Sequence, residues 1–287
     1  MSKNSGKHTQ SLKIPRTIIL TAKLIALIST KWLVRFAARL FTTPIKYKIP
    51  KRELEMDFNS RQEKLFVASI NREIVVYHFG DGPKKIMLVH GWSGRGTQLV
   101  KFAEALTKTG YSIVSFDAPA HGKSEGKTTL LPEFIESIFE IEKKSGPFET
   151  AIGHSLGGMA LLNAVRKGFK INRLVTIGSG DLIKDITDDF AARLELKPKI
   201  SDLLRLHFEK KYNISMNSFS SYLSAKEITI PVLVIHDADD PEVPVKCAHQ
   251  IYKNLQNGEL LITHNLGHRK ILGDAEVISK ALDFIRN

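Results

Sequence analysis

The sequence predicts an α/β fold, with a mostly parallel central sheet and helices on both of its faces. Two observations support this prediction. After Glu53, short runs rich in β-branched residues alternate with helical stretches of about 10–15 residues. The chain has 287 residues, 43% of them hydrophobic, which is enough to bury one large core. Strands and helices that alternate in this order are joined by crossover connections, so most strands run parallel.

The elements can be assigned in order along the chain. Two apolar runs at the start predict a hairpin, and Asp81-Gly82-Pro83 predicts the turn that follows it. Gly110 and Gly146 end two of the helical stretches, as is typical of helix C-termini. The predicted strands are 65–70, 73–79, 86–90, 111–116, 150–153, 174–178, 232–236 and 260–264. The predicted helices are 97–108, 132–144, 156–167, 245–255 and 274–285.

One interval interrupts the alternation. Residues 180–230 have helical patterning and no convincing strand, and an unstructured loop of that length is rare in a compact domain. We therefore predict three parts. They are a basic amphipathic N-terminal arm (1–52), an α/β core (53–179 and 231–287), and a helical insertion (180–230) that lies over the strand ends as a lid.

The excess positive charge of the chain is confined to the arm. The whole chain has 42 Lys and Arg against 30 Asp and Glu, a net charge of +12. Residues 1–52 contain twelve of the Lys and Arg and no Asp or Glu, so the rest of the chain is electrically balanced. An enzyme of nucleic acids would carry positive charge around its working cleft. We therefore expect no nucleic-acid partner.

The arm is predicted to contain one helix over residues 17–41, with Ile18, Ile25, Trp32, Leu33, Phe36 and Leu40 on its apolar face. Basic residues lie on another face of this helix. Lys23 and Lys31 would fall inside any membrane-spanning window, at a cost of roughly 2.5–3.5 kcal/mol each, which disfavours a transmembrane anchor. A signal peptide is disfavoured too, because Lys23 interrupts the apolar run.

Two interpretations fit the arm. In the first, residues 15–41 lie on an anionic membrane surface, with each basic residue contributing on the order of 1 kcal/mol. In the second, the helix packs against the body and its basic face is simply solvated. The expected location is cytoplasmic, with membrane association on the cytoplasmic face under the first interpretation.

The sequence motif that indicates a catalytic site follows the strand predicted at 150–153. Residues 153–158 read Gly-His-Ser-Leu-Gly-Gly, and a helical stretch begins at once. A sharp strand-to-helix turn of this kind exposes the hydroxyl of Ser155 at a helix N-terminus, where developing negative charge is favoured. The motif alone is weak, since Gly and Ser are common residues.

Together with four other segments, this motif resembles the α/β-hydrolase family over nearly all of residues 60–287. The serine, aspartate and histidine also follow one another in the family's order. The resemblance implies the α/β-hydrolase fold and the activity of a serine hydrolase. The other segments are Leu-Val-His-Gly-Trp at 88–92, Phe-Asp-Ala-Pro-Ala-His-Gly-Lys-Ser at 116–124, Asp-Pro-Glu-Val-Pro at 240–244, and Gly-His at 267–268.

The requirements of acyl transfer suggest a role for each of the matched residues. A serine hydroxyl is a poor nucleophile at neutral pH, so Ser155 requires a base, and His268 can take its proton and return it to the leaving group. Asp240 would orient the imidazole and stabilise its charged form. The backbone N–H groups of Trp92 and Leu156 would bind the oxyanion.

Each of these assignments has a competing candidate. His264 is the other histidine near the last strand, and Asp237, Asp239 and Asp181 are alternatives for the acid. The family usually has glycine where this chain has Asp237, so the chain departs from the family pattern in the acid loop. The serine at the turn, rather than an aspartate, argues against epoxide hydrolase or dehalogenase chemistry.

Four further polar residues in these segments are predicted to shape loops rather than to carry protons. They are His90, His121, His154 and Asp117.

The predicted function is hydrolysis of carboxylic esters through an acyl-enzyme intermediate, without a cofactor or a metal. The expected partner is a small-molecule ester with an apolar, lipid-like group, because the predicted insertion is rich in apolar residues. Thioesterase, amidase and acyltransferase activities would use the same residues. A non-catalytic binding protein with this fold is the alternative from another class.

Overall fold

The computed structural model describes residues 14–287, and eight strands form one sheet within them. Their spatial order is β1-β2-β4-β3-β5-β6-β7-β8. The first pairings, β1 with β2 and β2 with β4, are antiparallel, and all the others are parallel. The strands are β1 (Arg61–Val67), β2 (Arg72–Phe79), β3 (Lys84–Val89), β4 (Tyr111–Asp117), β5 (Thr150–His154), β6 (Arg173–Ile177), β7 (Val232–Asp237) and β8 (Gly258–Thr263).

Twelve α-helices lie in the described part of the chain, most of them between consecutive strands. They are α1 (Arg16–Ile28), α2 (Thr30–Thr42), α3 (Leu54–Asn59), α4 (Val100–Thr107), α5 (Leu131–Ser145), α6 (Leu156–Arg166), α7 (Ile183–Arg193), α8 (Pro198–Tyr212), α9 (Ser221–Glu227), α10 (Lys246–Asn254), α11 (Gly267–Lys270) and α12 (Ala275–Arg286).

The helices cover both faces of the sheet, as the alternating pattern predicted. Along β3, Met87 and Val89 belong to the core on one face, which is completed by α5, α6 and α10. Ile86 and Leu88 belong to the core on the other face, with α4 and α12. Successive side chains of a strand point to opposite faces, so a strand buried on both faces reads as a continuous apolar run.

The N-terminal segment differs from the single predicted helix. Ser29 is extended (φ −160°, ψ 121°), so the segment forms two helices, α1 and α2, and the Ser29 hydroxyl accepts the N–H of Trp32. Trp32, which the sequence places on the apolar face with Leu33, does not share the buried face of α2: its side chain is 62% exposed, whereas Leu33 is 2% exposed. Helix α2 packs on α8 and buries Leu33 and Ala37 against the core.

Glu53 anchors the chain where the N-terminal segment meets the core. Its carboxylate is 1% exposed, accepts from the guanidinium of Arg95 at 2.7 Å, and accepts from the hydroxyl of Thr97 at 2.9 Å. A buried carboxylate requires such partners, since an unpaired charge in the interior is costly.

Between β6 and β7 the chain forms α7, α8 and α9, and the structure places no strand in residues 178–231. The two ends of this segment are joined where Asp181 Oδ1 accepts the N–H of Tyr222 at 2.7 Å. Helix α9 packs on α6 and α10, and α8 packs on α2.

None of the helices in residues 14–287 combines the length and the apolar character that crossing a membrane requires.

Candidate active site

Ser155 lies in the tight turn between β5 and α6. Its backbone has φ 52° and ψ −118°, a conformation that non-glycine residues rarely adopt. Its N–H donates to the carbonyl of Ile177 at 2.9 Å, which attaches the turn to the end of β6. The turn therefore presents the serine at the N-terminus of α6, where the unpaired backbone N–H groups favour negative charge.

The two predicted oxyanion donors, Trp92 and Leu156, belong to chain segments next to this serine. Leu156 is the first residue of α6, and its N–H has no acceptor in the described part of the chain. Trp92 lies in the loop after β3. A Cβ on the neighbouring Gly91 would come within 2.9 Å of the Cβ of Ser155, so this loop passes directly beside the serine.

In the loop after β3, the N–H groups of the residues on both sides of Trp92 have acceptors. The N–H of Gly91 donates to Gln98 Oε1 at 2.9 Å, and that of Ser93 donates to His121 Nε2 at 3.0 Å. Between them, the N–H of Trp92 meets no acceptor within residues 14–287. A half-buried backbone donor that is held rigidly and left unpaired is what an oxyanion site requires.

His268, on α11, is paired with Asp240 in the loop after β7. The Nδ1 of His268 lies 2.6 Å from Oδ2 of Asp240, and the side chains are 5% and 1% exposed. The other oxygen of Asp240 accepts the N–H groups of Glu242 (2.8 Å) and Val243 (2.9 Å). Burial raises the pKa of Asp240, but His268 and these two donors outweigh it and lower the pKa below its ordinary value. The ionised carboxylate therefore accepts a hydrogen bond from Nδ1–H of His268, which leaves Nε2 as the ring nitrogen that can accept.

Ser155 and His268 both lie beside the end of β6. The N–H of Ser155 bonds to Ile177, and a Cβ on the next residue, Gly178, would lie 3.3 Å from Nδ1 of His268. The ring of His154 also packs on that of His268, with centroids 4.6 Å apart. Within residues 14–287 no hydrogen bond joins Ser155 Oγ to His268. Such catalytic contacts are often long in an unliganded site and tighten when substrate binds.

Asp237 is a site residue whose role the sequence did not indicate. It is fully buried at the end of β7 and accepts four hydrogen bonds. Burial raises its pKa, and these donors outweigh that effect and lower it. The carboxylate therefore joins the acid loop to the histidine loop, which explains the departure from glycine at this position. The donors are the hydroxyl of Thr263 (2.8 Å) and the N–H groups of Asp239 (3.0 Å), Leu266 (3.1 Å) and Gly267 (2.9 Å).

The other candidates for base and acid lie elsewhere. His264 follows the end of β8, with a side chain 69% exposed and 4.0 Å from the 58%-exposed carboxylate of Asp239. Asp181 is buried and accepts the N–H of Tyr222, and its burial raises its pKa to about 6. Among the acidic candidates, Asp240 makes the contact with His268.

The remaining histidines of the predicted site organise its loops. His90 Nε2 accepts the N–H of Ala118 at 3.0 Å, and His154 Nε2 lies 2.9 Å from the carbonyl oxygen of His268. Burial is the main cause that lowers the pKa of His90 well below its ordinary value. It also lowers the pKa of His121 to about 4 and that of His154 to about 3. All three are therefore neutral at neutral pH.

Asp117 stabilises the loop after β4. It is fully buried and accepts the N–H groups of Gly96 and Lys123, both at 2.7 Å, and the hydroxyl of Tyr77 at 2.9 Å. Among residues 14–287 no group of three or more His, Cys, Asp or Glu is arranged to hold a metal ion.

Two family models match this chain. The model described as the α/β hydrolase fold matches residues 84–203, and the model of TAP-like proteins matches residues 216–287. Together they cover more than half of the chain, including Ser155, Asp240 and His268. The chain belongs to the α/β-hydrolase family.

Relatives of established function are hydrolases. One is the (E)-2-((N-methylformamido)methylene)succinate hydrolase of Acinetobacter baylyi, 23% identical over 258 residues, which are 76% of this chain and 96% of that protein. Another is the lysophosphatidylserine lipase ABHD12 of Danio rerio, 28% identical over 195 residues. That match covers 63% of this chain and only 50% of the lipase. These relatives support hydrolase activity for this chain.

Solved structures show the same fold. An esterase of Pyrococcus furiosus superposes with a TM-score of 0.67 at 18% identity, over 85% of this chain and 97% of the esterase. An esterase of Exiguobacterium antarcticum superposes with a TM-score of 0.63 at 17% identity, over 79% of this chain and 100% of that chain.

Proposed function

We propose that this protein is a serine hydrolase that cleaves carboxylic esters, with Ser155 as nucleophile, His268 as general base and Asp240 as the acid that orients it. The observation that carries the proposal is the 2.6 Å contact between His268 Nδ1 and Asp240 Oδ2, made beside a serine on a strained turn. A His–Asp pair by itself does not imply catalysis. The position of this pair near Ser155 and two unpaired backbone N–H groups supports a catalytic role.

The first half of the reaction forms an acyl-enzyme. Ser155 Oγ attacks the ester carbonyl carbon while its proton passes to Nε2 of His268, and the carbonyl oxygen becomes an oxyanion. Asp240 stabilises the imidazolium that results. The N–H groups of Trp92 and Leu156 bind the oxyanion, a donor of this kind being worth about 3–4 kcal/mol. The tetrahedral intermediate then collapses, and His268 gives its proton to the departing alcohol.

The second half releases the acid. Water attacks the acyl carbon, and His268 takes a proton from it as it did from the serine. The same two N–H groups hold the second oxyanion. Collapse of this intermediate breaks the bond to Ser155 Oγ, which takes back the proton, so the enzyme is regenerated without a cofactor.

The substrate we propose has an apolar group. The helical segment 180–230 serves as a lid over the strand ends in this proposal, and its apolar side chains include Phe190 and Phe219, which pack partly buried against the core. A lipid-like ester is consistent with the Danio rerio relative, whose name describes a lysophospholipid lipase.

Labelling with a fluorophosphonate probe tests the nucleophile. The probe phosphonylates an activated serine, so we expect stoichiometric labelling of the protein and none of Ser155→Ala. Ser215→Ala, at an exposed serine, is the matched control and should label normally. Absence of labelling in folded wild-type protein, or undiminished labelling of Ser155→Ala, would refute the assignment.

A panel of p-nitrophenyl esters tests the substrate class. We expect hydrolysis that improves with acyl chain length beyond acetate and that falls at least roughly a thousandfold in Ser155→Ala. Labelled protein that hydrolyses none of the esters but cleaves thioesters or amides would keep the nucleophile and reject ester specificity.

A further inference from the structure

Helix α2 has two different faces. Leu33, Val34 and Ala37 are buried against the body. The opposite face is exposed, and at 100° per residue its members fall within an arc of roughly 100°. These exposed residues are Lys31, Trp32, Arg35 and Arg39.

The aromatic residue and the cations of this face form one surface. Trp32 is 62% exposed, and the guanidinium carbon of Arg35 lies 5.4 Å from its ring centroid. An exposed tryptophan beside a cation is characteristic of a surface that meets the boundary between water and lipid.

Arg35 and Arg39 also border a cleft of about 630 Å³ that lies between α2, residues 120–128 and α8. We call it the basic cleft. Its lining contains five Lys and Arg side chains and no Asp or Glu, and it contains none of the candidate catalytic residues. The five cations come from four parts of the chain and are Arg35, Arg39, Lys46, Lys127 and Lys211.

Two observations describe the positive charge of the cleft. Lys46 is fixed by a 3.1 Å bond from its ammonium to the carbonyl of Ser124. His207 lines the cleft too, and its pKa is lowered first by burial and then by the charges of Lys211 and Arg35. The site repels a further cation and is suited to an anion.

Apolar side chains continue the surface along α1. Leu20, Leu24, Leu27 and Ile28 are 59–86% exposed and repeat at helical spacing, so they form one stripe that ends just before Trp32. Exposed stripes of large aliphatic residues are unusual unless something covers them.

Charge decides which partner fits. A second copy would bring the same acid-free segment against itself, since residues 1–52 contain twelve Lys and Arg and no Asp or Glu. Such contact is repulsive. A nucleic acid would pair with the cations but would leave the aliphatic stripe of α1 exposed to water. The surface of an anionic bilayer offers both an apolar interior and phosphate groups.

We propose that α1, Trp32 and the basic cleft together bind the surface of an anionic phospholipid bilayer, with the apolar side chains among the acyl chains and lipid phosphates in the cleft. Lys127 and Lys211 belong to this site although they lie outside the N-terminal segment. The protein would lie on the membrane without spanning it.

Flotation of the full chain with liposomes tests this proposal. We expect binding to vesicles of phosphatidylcholine mixed with phosphatidylglycerol, little binding to phosphatidylcholine alone, and weaker binding as salt is added. Arg35→Ala/Arg39→Ala should weaken binding to the mixed vesicles by about thirtyfold. Trp32→Ala should weaken it as well.

The matched control is Lys108→Ala/Lys253→Ala, which removes two exposed lysines that do not line the cleft. It should lose far less affinity than the arginine pair. Thermal unfolding, expected to be unchanged in every variant, shows that loss of binding is not loss of fold. Equal binding to neutral and anionic vesicles, no binding to either, or equal losses in the arginine and lysine pairs would overturn the proposal.

Discussion

Asp237 accepts the backbone N–H of Gly267 at 2.9 Å, and this bond connects the end of β7 to the residue that precedes His268. Because Asp240 lies three residues after Asp237, one buried carboxylate positions both members of the acid–histidine pair. The position of that pair is therefore set by a residue that takes no part in the proposed chemistry.

Replacement of Asp237 should loosen both loops. In Asp237→Ala the hydroxyl of Thr263 and three partly buried N–H groups lose their acceptor, so we expect the free energy of unfolding to fall by about 3 kcal/mol. Asp237→Asn keeps one acceptor oxygen and should lose less. Urea unfolding measures stability, and the rate of fluorophosphonate labelling measures the site. Equal stability of Asp237→Ala and wild type would show that the two loops do not depend on this carboxylate.

Replacement of Asp240 should affect chemistry more than stability. Asp240→Asn keeps the shape of the side chain but removes the charge that fixes the proton on Nδ1 of His268. We expect the rate of labelling, and of any ester hydrolysis, to fall on the order of ten-thousandfold. Asp239→Asn changes an exposed neighbour and serves as the control. A comparable loss in both variants would mean that Asp240 has no special role.

Glu53 should be important for the attachment of the N-terminal segment. Glu53→Ala leaves the guanidinium of Arg95 buried without its partner, which typically costs about 3–5 kcal/mol. Glu53→Gln retains a hydrogen-bonding oxygen and should cost less. Urea unfolding checks both, with Glu55→Ala at an exposed carboxylate as the control. A Glu53→Ala protein as stable as the control would contradict this expectation.

The stability contributed by His121 should depend on pH. Burial lowers the pKa of this histidine to about 4, whereas an unfolded imidazole titrates near 6.5. Below about pH 6.5 the unfolded chain binds a proton that the folded protein does not, so this contribution is lost as the pH falls toward about 4.

The variant His121→Gln isolates this effect from other titrating groups. Wild type should be more stable than the variant at neutral pH, and the difference in free energy of unfolding should narrow by about 1.4 kcal/mol per pH unit below pH 6.5. Urea unfolding across this range measures it. Gln250→Ala, at an exposed site, removes no titratable group and should differ from wild type by the same amount at every pH. A constant difference for His121→Gln would show that this imidazole is not held neutral.

The local signals in the sequence were sufficient for the sheet and its helices. Residues 86–89 of β3, for example, form a continuous apolar run because their side chains are buried on both faces of the sheet, and such a run predicts a buried strand. The turn at Ser155 was also readable, since glycines around a serine between a strand and a helix form a local pattern. The structure places the side chains of His268 and Asp240 in contact. The catalytic role of this pair stays a prediction.

The sequence alone was enough to predict that the N-terminal segment is helical and basic. Helical periodicity and local charge both depend on residues that lie close together in the chain. The break at Ser29, the exposure of Trp32 and the four hydrogen bonds of Asp237 were decided by tertiary structure alone. Each depends on contacts with distant residues: α2 turns its other face to α8, and Asp237 meets donors that follow β8. A pattern along the chain records which side chains prefer to be buried, but only the packed fold determines what they are buried against.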